Sequence, residues 1–299
     1  MALSRETLEQ LRVDHTEDFT LADHDPGWLP PAARDLSKGE RKELADQMLK
    51  DNVKELAEAQ DMLYADDRYS VLLVFQAMDA AGKDSTIKHV MSGVNPQGCS
   101  VTSFKKPSDE ELDHDFLWRC NKALPPRGNI GIFNRSYYEE VLVTKVHPQI
   151  LDYQRLPVTA RGKAFWQARY DDINAFERHL VRNGTVVLKF FLNVSKEEQK
   201  ARFLARLDTP EKNWKFSAAD LKERAYWDDY QQAYQDAIAA TATPWAPWWV
   251  IPADRKWAMR TAVSDIVTTT IKGLDLRYPQ ISDADREALA AARTELEAE

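Results

Sequence analysis

The sequence predicts an α/β fold, a three-layer αβα sandwich with a parallel β-sheet at its centre. Three observations carry this prediction. Residues 70–76 hold five consecutive apolar residues rich in β-branched and aromatic types, as in a strand buried on both faces. Similar short apolar runs alternate with amphipathic segments, as in βαβ units. The first strand also leads directly into a Gly-Lys turn and a helical stretch.

The other elements follow from local patterns in chain order. Residues 1–36 are expected to be irregular. Ser37 and Glu40 then have capping-box spacing, and the apolar residues after them predict a helix over about 38–65. The further strands are predicted at 101–104, 130–133, 185–192 and 248–251. The further helices are predicted at 110–122, 161–182, 195–207, 217–240 and 256–273.

Charge is divided unevenly along the 299 residues, which have 40 basic and 48 acidic side chains and a net charge of −8. Residues 1–69 carry a net −8 and residues 275–299 a net −4, whereas residues 70–274 carry a net +4. These segments are predicted to be an N-terminal extension with its helix, a core and an acidic tail. The net charge argues against non-specific binding to nucleic acid or an anionic membrane, but the core is locally positive.

Composition excludes several classes of protein. Cys99 and Cys120 are too few for a disulfide framework, and no Cys/His spacing is typical of a zinc site. Arg5, Glu6 and Glu9 stand where a secretory signal would be apolar, and no run of 18 apolar residues is present. We therefore expect a soluble cytoplasmic protein with neither a nucleic acid nor a membrane as its partner.

The turn after the first strand has the composition of a phosphate-binding loop. Residues 77–86 read AMDAAGKDST, and in a strand–turn–helix context the backbone N–H groups converge on an anion. Gly82 allows close approach, and Lys83 supplies positive charge. The match is imperfect, because Ala77 replaces a glycine and Asp84 replaces a serine or threonine. A solvated helix start is the alternative interpretation.

Carboxylates beside this loop predict a metal site. Asp79 and Asp84 offer the oxygen ligands that Mg²⁺ prefers, and without a metal they would repel phosphate. A second polar pair, Asn134 and Arg135, ends the strand predicted at 130–133. Arg135 can fork onto phosphoryl oxygens, with a structural ion pair as the alternative. Glu139 is either a ligand-binding residue or a solvated residue at a helix start.

A basic cluster follows around the break at 208–210. It indicates a lid that closes over negative charge, although a solvated basic face is the alternative. Its members, which fall within 16 residues, are Lys200, Arg202, Arg206, Lys212 and Lys215. Trp227, Tyr230 and Tyr234 recur at helical spacing, which favours core packing over a base-stacking platform.

Together these segments resemble the polyphosphate kinase 2 family over about residues 40–272. The matching segments are FQAMDAAGKDSTIKHVMSGVNPQG, FKKPSDEELDHDFLWR, GNIGIFNRSYYEEVLV and EEQKARFLARLDTPEKNWKFSAADLKERAYWDDYQQAY. The resemblance implies a P-loop kinase fold similar to thymidylate kinase, with a helical lid over about 200–225. It also implies reversible, Mg²⁺-dependent transfer of the terminal phosphoryl group of inorganic polyphosphate to AMP or ADP, forming ADP or ATP. Mn²⁺ is a possible substitute metal.

The resemblance assigns roles to individual residues. Asn134 replaces the aspartate that many members have at this Walker B position, which leaves Asp79 and Asp84 as the better metal ligands. The implied catalytic residues are Asp79, Lys83, Asp84 and Arg135. The implied phosphate- and polyphosphate-binding residues are Ala81, Gly82, Lys83, Ser85, Thr86, Lys105, Lys106, Arg202, Arg206, Lys212 and Lys215. The implied nucleotide-binding residues are Asn134, Arg135 and Glu139.

Two of these positions bear on which nucleotides serve as phosphoryl acceptors. Asn134 with Glu139 is similar to the subgroup that phosphorylates both nucleoside mono- and diphosphates, with GMP and GDP as further candidate acceptors. The family also implies a homodimer or homotetramer. Two alternatives stay open: an ATP-dependent nucleotide kinase of the same fold, and a polyphosphate- or nucleotide-binding module without catalysis.

Overall fold

The computed structural model describes residues 3–15, 18–157 and 161–299, without the side chain of Lys215. The strands are β1 (Arg12–Val13), β2 (Ser70–Ala77), β3 (Cys99–Ser103), β4 (Ile130–Asn134), β5 (Thr185–Asn193) and β6 (Trp248–Pro252). Within these residues they form one sheet in the order β1-β6-β5-β2-β4-β3. β1 pairs antiparallel with β6, and every other neighbouring pair is parallel.

Helices surround this sheet. The α-helices are α1 (Arg5–Glu9), α2 (Lys38–Asp66), α3 (Lys83–Val90), α4 (Asp109–Leu112), α5 (Trp118–Lys122), α6 (Val143–Val146), α7 (Lys163–Arg182), α8 (Lys196–Leu207), α9 (Ala218–Glu223), α10 (Trp227–Thr241), α11 (Lys256–Lys272) and α12 (Asp283–Glu297). Short 3₁₀ helices lie at Leu21–Asp23, Pro31–Ala33, Pro96–Gly98, Tyr137–Glu140, Pro148–Gln154, Pro210–Lys215 and Arg224–Tyr226.

The core lies around β2, all of whose residues are buried. Strand β2 lies between β5 and β4, so neither of its edges is exposed. Helices α2, α3 and α11 pack together, while α7 and α10 pack against each other and α7 against β5. A parallel sheet buried under helices is the arrangement that the continuous apolar strand requires. The predicted α/β class is confirmed.

Most predicted elements are present, and each difference has an identifiable cause. Ser37 caps α2 in a capping box with Glu40, as expected. The helix predicted over 110–122 is instead two short helices, because the Asp115 carboxylate accepts a hydrogen bond from the backbone N–H of Leu117 at 2.9 Å. A hydrogen bond between a side chain and the nearby backbone competes with the backbone hydrogen bonds of a helix.

The helix predicted over 217–240 is also divided, since a 3₁₀ turn separates α9 from α10. Arg224 in that turn donates to the Lys196 carbonyl at 2.9 Å and to Gln199 Oε1 at 2.7 Å, which holds the chain against α8. The expectation of irregular structure over 1–36 is wrong in part. Helix α1 and strand β1 lie there, and β1 is fixed by pairing with the distant strand β6.

The sheet positions the candidate site by its register. Phe75 of β2 is paired with Asn134 of β4, so these parallel strands end side by side. In parallel α/β sheets, ligands bind at the carboxyl ends of the strands. The turns after β2 and β4 therefore meet at this edge.

At the other end of the chain, α12 is described in full and none of its residues is buried.

Candidate active site

The turn between β2 and α3 has the backbone geometry of an anion-binding loop. Ala80 and Gly82 have φ angles of 60° and 111°, and Gly82 is the N-cap of α3. A left-handed conformation favours glycine, and a Cβ at Gly82 would lie 3.2 Å from Met259 Cε. The first N–H groups of a helix have no partner within the helix, so the start of α3 can receive a phosphoryl group.

Lys83 is the first residue of α3, and its Nζ donates to the carbonyl of Ala77 at 2.8 Å. Burial lowers the pKa of Lys83, and the nearby charge of Arg135 lowers it further, while Asp79 acts in the opposite direction. The loop therefore holds a desolvated ammonium group close to a second cation. A bound phosphoryl anion would stabilise both charges.

Arg135 follows β4 and faces the loop. Its Nη2 donates to Asp79 Oδ1 at 3.1 Å, and its Nη1 donates to Glu139 Oε2 at 3.1 Å. Glu139, followed by Asp79, raises the pKa of Arg135 against the effect of burial. The guanidinium thus makes the ion pairs that were the alternative interpretation of this residue. It also keeps 41% of its side chain exposed, toward the cleft described below.

The two carboxylates of the predicted metal site are held by different partners. Asn134 Nδ2 donates to Asp84 Oδ1 at 2.7 Å, and Arg135 holds Asp79. Asn134 therefore contacts the predicted metal ligand directly, although the sequence assigned it to the nucleotide. Among the described residues, no group of three or more His, Cys, Asp or Glu side chains could hold a metal. This donor set fits Mg²⁺, which commonly binds through one or two carboxylates together with substrate phosphates.

These residues open onto a cleft of about 860 Å³ between the phosphate loop, the end of β3 and the end of α8. Eight cationic side chains line it, namely Lys83, Lys105, Lys106, Arg135, Arg202, Arg206, Lys212 and Lys256. Three acidic side chains line it as well, namely Asp79, Asp84 and Asp220. The lining therefore has five more positive than negative side chains, so the cleft attracts polyanions despite the net charge of −8.

Most of the predicted site residues come together in this cleft, including Ala81, Gly82 and Ser85. Thr86 differs, because its hydroxyl is buried and donates to the Gly82 carbonyl at 3.0 Å. Glu139 lines a smaller adjoining cavity of about 40 Å³. The side chain of Lys215 lies outside the described part of the structure.

Arg202 has a different environment from the one that its place in the basic cluster suggested. Its side chain is buried, and all five N–H groups have acceptors. Nη1 donates to the carbonyls of Ala80 and Ala81 in the phosphate loop, and Nη2 donates to those of Ala253 and Asp254 after β6. Arg202 therefore joins two turns of the site and fixes the loop backbone.

The segment 208–223, called the lid segment below, is more exposed. Lys212 and Trp214 line the cleft, and Trp214 is 78% exposed. Asp220 in α9 lies 3.9 Å from Arg206, and burial and the neighbouring Asp79 raise its pKa. This segment contributes Lys212, Trp214 and Asp220 to the lining of the cleft, as a closing element would.

Three contributors to the site were not predicted from the sequence. Lys256 lines the cleft from the start of α11, directly after β6, and its position at the carboxyl end of a parallel strand was a usable signal. Gln199 Nε2 donates to the Asp79 carbonyl at 2.9 Å and so links α8 to the loop. Asp220 lies at the lid side of the cleft. No sequence spacing indicates the last two, because they depend on how α8 and α9 pack.

The parallel sheet, the Gly-Lys turn at a helix start and the cationic cleft define a phosphotransferase with a P-loop-like site. Residues 39–279 match the family model described as Polyphosphate kinase 2 (PPK2), and the chain belongs to this family. The family, the fold class and the enzyme class that the sequence predicted are confirmed.

Individual relatives agree with this assignment. The chain is 53% identical over 258 residues to the ADP-polyphosphate phosphotransferase of Rhodopseudomonas palustris, covering 86% of this chain and 89% of the relative. It is 48% identical over 225 residues to the AMP/ADP-polyphosphate phosphotransferase of Meiothermus ruber, covering 75% and 80%. The crystal structure of polyphosphate kinase 2 from Arthrobacter aurescens TC1 superimposes with a TM-score of 0.85 at 40% identity, covering 98% and 99%.

Across the described residues, none of the helices combines the length and the apolar character needed to cross a bilayer.

Proposed function

We propose that this protein catalyses reversible transfer of the terminal phosphoryl group of inorganic polyphosphate to AMP and ADP, with Mg²⁺ as its metal. The observation that carries the proposal is the cleft, in which eight cationic and three acidic side chains surround one phosphate loop. A single nucleotide phosphate needs fewer cations than this. A long polyanion interacts favourably with a series of them.

Five cations of the cleft fall into two groups that differ in their exposure to solvent. Lys105, Lys106 and Lys212 are exposed and would hold the polyphosphate chain through solvent-screened attraction. Lys83 and Arg135 are less accessible and would neutralise the phosphoryl group that is transferred. This division matches a substrate of which one end reacts and the remainder is only held.

Asp79 and Asp84 would hold the metal, which when bound neutralises phosphoryl oxygens. The hydrogen bond from Asn134 orients the Asp84 carboxylate, and Arg135 orients that of Asp79. In the transfer, the bond from the terminal phosphorus to its bridging oxygen breaks as the bond to an acceptor phosphate oxygen forms. An acceptor phosphate is largely ionised at neutral pH, so the reaction needs positioning and charge neutralisation more than a general base.

For the acceptor, we propose nucleoside mono- and diphosphates, with guanine nucleotides as further candidates. Glu139 ion-pairs with Arg135, and Asn134 hydrogen-bonds Asp84, so all three predicted nucleotide-binding residues lie at the reacting region. The name of the Meiothermus ruber relative, an AMP/ADP-polyphosphate phosphotransferase, supports this range. Assembly into a homodimer or homotetramer is a further part of the proposal, and it rests on the family resemblance alone.

The decisive experiment supplies polyphosphate as the sole phosphoryl donor, with Mg²⁺ and one of AMP, ADP, GMP or GDP, and quantifies the products by chromatography. We expect ADP and then ATP from AMP, and ATP from ADP, with loss of product when EDTA removes the metal. Omission of polyphosphate reveals any disproportionation of ADP, and the Lys83→Ala variant reveals contaminating kinases. Failure to form ATP from ADP would contradict the proposal. ADP as the sole acceptor would restrict it to diphosphates.

A further inference from the structure

Arg135 has an unfavourable backbone conformation for its residue type. Its φ angle is 66°, in the left-handed region that a residue with a long side chain rarely adopts. Such strain persists only where the surrounding structure enforces it, and it concentrates at functional sites. The backbone N–H of Arg135 donates to the Phe75 carbonyl at 3.1 Å, which fixes one end of the residue. The other end must be fixed by the turn that follows.

That turn is a buried 3₁₀ helix capped by Ser136. The Ser136 hydroxyl is fully buried, accepts from the backbone N–H of Tyr138 at 3.1 Å, and accepts from Gln76 Nε2 at 3.3 Å. Gln76 belongs to β2, the strand that leads into the phosphate loop. The turn after Arg135 is thus joined to the loop strand directly behind the site.

Two consecutive tyrosines connect the turn to a buried ion pair. The hydroxyls of Tyr137 and Tyr138 donate to Glu177 Oε1 at 2.9 and 2.8 Å, and Lys189 Nζ donates to Glu177 Oε2 at 2.7 Å. Lys189 also donates to the Thr241 carbonyl at 2.7 Å. The ion-paired side chains of Glu177 and Lys189 are both completely buried.

Burial and the Glu177 carboxylate raise the pKa of both tyrosines, so their phenols remain protonated donors. Burial acts in the opposite direction on Lys189 and lowers its pKa, while the Glu177 carboxylate raises it. The network joins the turn to α7 through Glu177, to β5 through Lys189 and to α10 through Thr241.

Stability alone does not account for this network. Removing two charges from water costs about as much as their attraction returns, and apolar side chains of similar volume often serve as well. A satisfied polar network instead fixes one geometry, because each hydrogen bond is directional and an unpaired buried group is costly. The feature that this network fixes is the backbone next to Arg135.

We propose that Tyr137, Tyr138, Glu177 and Lys189 are positioning residues, which hold the turn after Arg135 so that its guanidinium faces the phosphate loop. The inference rests on the proposed function in taking Arg135 as a group that neutralises the transferring phosphoryl. The four residues contact one another behind the site, and Arg135 is the group through which they act.

The test is a double-mutant cycle on polyphosphate-dependent ATP formation from ADP. Tyr138→Phe removes one hydroxyl and leaves Lys189 with Glu177 and Thr241 as acceptors. In the native background we expect kcat to fall about tenfold (1.4 kcal/mol), with the KM for polyphosphate nearly unchanged. In an Arg135→Lys background, which has already lost the forked guanidinium group, Tyr138→Phe should lower kcat by less than about twofold.

Melting temperatures show whether each variant is folded, and Tyr137→Phe provides a second, independent probe of the same network. Tyr170→Phe is the matched control, since this buried tyrosine binds Lys145 at 3.2 Å and should leave kcat unchanged. Equal losses of kcat in both backgrounds, or no loss in either, would overturn the inference while turnover of the unsubstituted protein continued. Absence of polyphosphate-dependent turnover in the unsubstituted protein would instead contradict the proposed function.

Discussion

The phosphate loop and the lid segment both bring cationic side chains to the cleft, yet they are built in opposite ways. At the loop, Arg202 has every N–H group bonded, Asp84 is oriented by an amide and Arg135 bridges two carboxylates. In the lid segment, Lys212 and Trp214 are exposed. Groups that act on the transferring phosphoryl gain from a fixed position, because reorganising them during the reaction would raise the barrier. Groups that only hold a long anion gain from freedom to follow it.

The largest effects should come from the loop. Lys83→Ala or Arg135→Ala is expected to lower kcat by about 10³-fold or more, comparable to the loss of other phosphoryl-transfer cations. The measurement is the initial rate of ATP formation from ADP and polyphosphate. Lys88→Ala, which changes an exposed lysine on the same helix, is the control and should keep the native rate. Turnover close to native in either folded loop variant would remove that residue from the reacting centre.

Substitution of Arg202 tests whether the contacts of a cation, rather than its position in the sequence, determine its effect on kcat. Arg202→Lys removes most of the five hydrogen bonds that hold the loop and the turn after β6. We expect kcat to fall about 30-fold, and the free energy of unfolding to fall by about 3 kcal/mol, because buried carbonyls lose their partners. Steady-state rates measure kcat, and urea denaturation measures the free energy of unfolding.

Arg206→Lys is the matched variant, one helical turn further along α8. Its side chain is more exposed and lies 3.9 Å from Asp220, so the substitution should mainly change the KM for polyphosphate. If the two variants behaved alike, the distinction between a fixed cation at the loop and a more exposed cation next to the lid segment would be wrong.

The sequence predicted the parts of this molecule that depend on local pattern. The buried strand before the Gly-Lys turn, the capping box at Ser37 and the polar pair at the end of β4 all lie where the pattern placed them. It could not predict which side chains are held by distant partners. Arg202 looked like its neighbour Arg206 because both are basic positions on one helix. Only the packing of α8 against the loop distinguishes them.

The same limit explains the missed residues and the division of the helix predicted over 217–240. Gln199 and Asp220 acquire their roles from the packing of α8 and α9 at the site. Strand β1 exists because it pairs with β6, far away in sequence. Each of these features is a long-range contact, which overrides the local propensity of the segment. The charge of the cleft was partly visible, since residues 70–274 carry a net +4.

A smaller effect is expected in the lid segment. Lys212→Gln removes one exposed cation from the cleft, which should raise the KM for polyphosphate about threefold and leave kcat within about twofold. The difference should shrink at high salt, because exposed charges are screened. Initial rates at two ionic strengths measure both effects. Lys222→Gln, an exposed lysine on α9, is the control. A large fall in kcat for Lys212→Gln would place this residue with the loop instead.

The smallest effect concerns the acidic residue of the lid. Asp220 faces the cleft with Arg206 and Asp79 nearby, and burial and Asp79 raise its pKa. At low pH the carboxyl is neutral, and as pH rises through the raised pKa it gains a charge that repels polyphosphate. Asp220→Asn should therefore lower the KM for polyphosphate about twofold at neutral pH, and the two KM values should converge at low pH. Because both proteins see the same polyphosphate, their KM ratio removes the ionisation of the substrate itself. A ratio that differs from one but is independent of pH would show that Asp220 keeps one charge state throughout, and a ratio of one would show that Asp220 does not modulate binding of the polyphosphate chain.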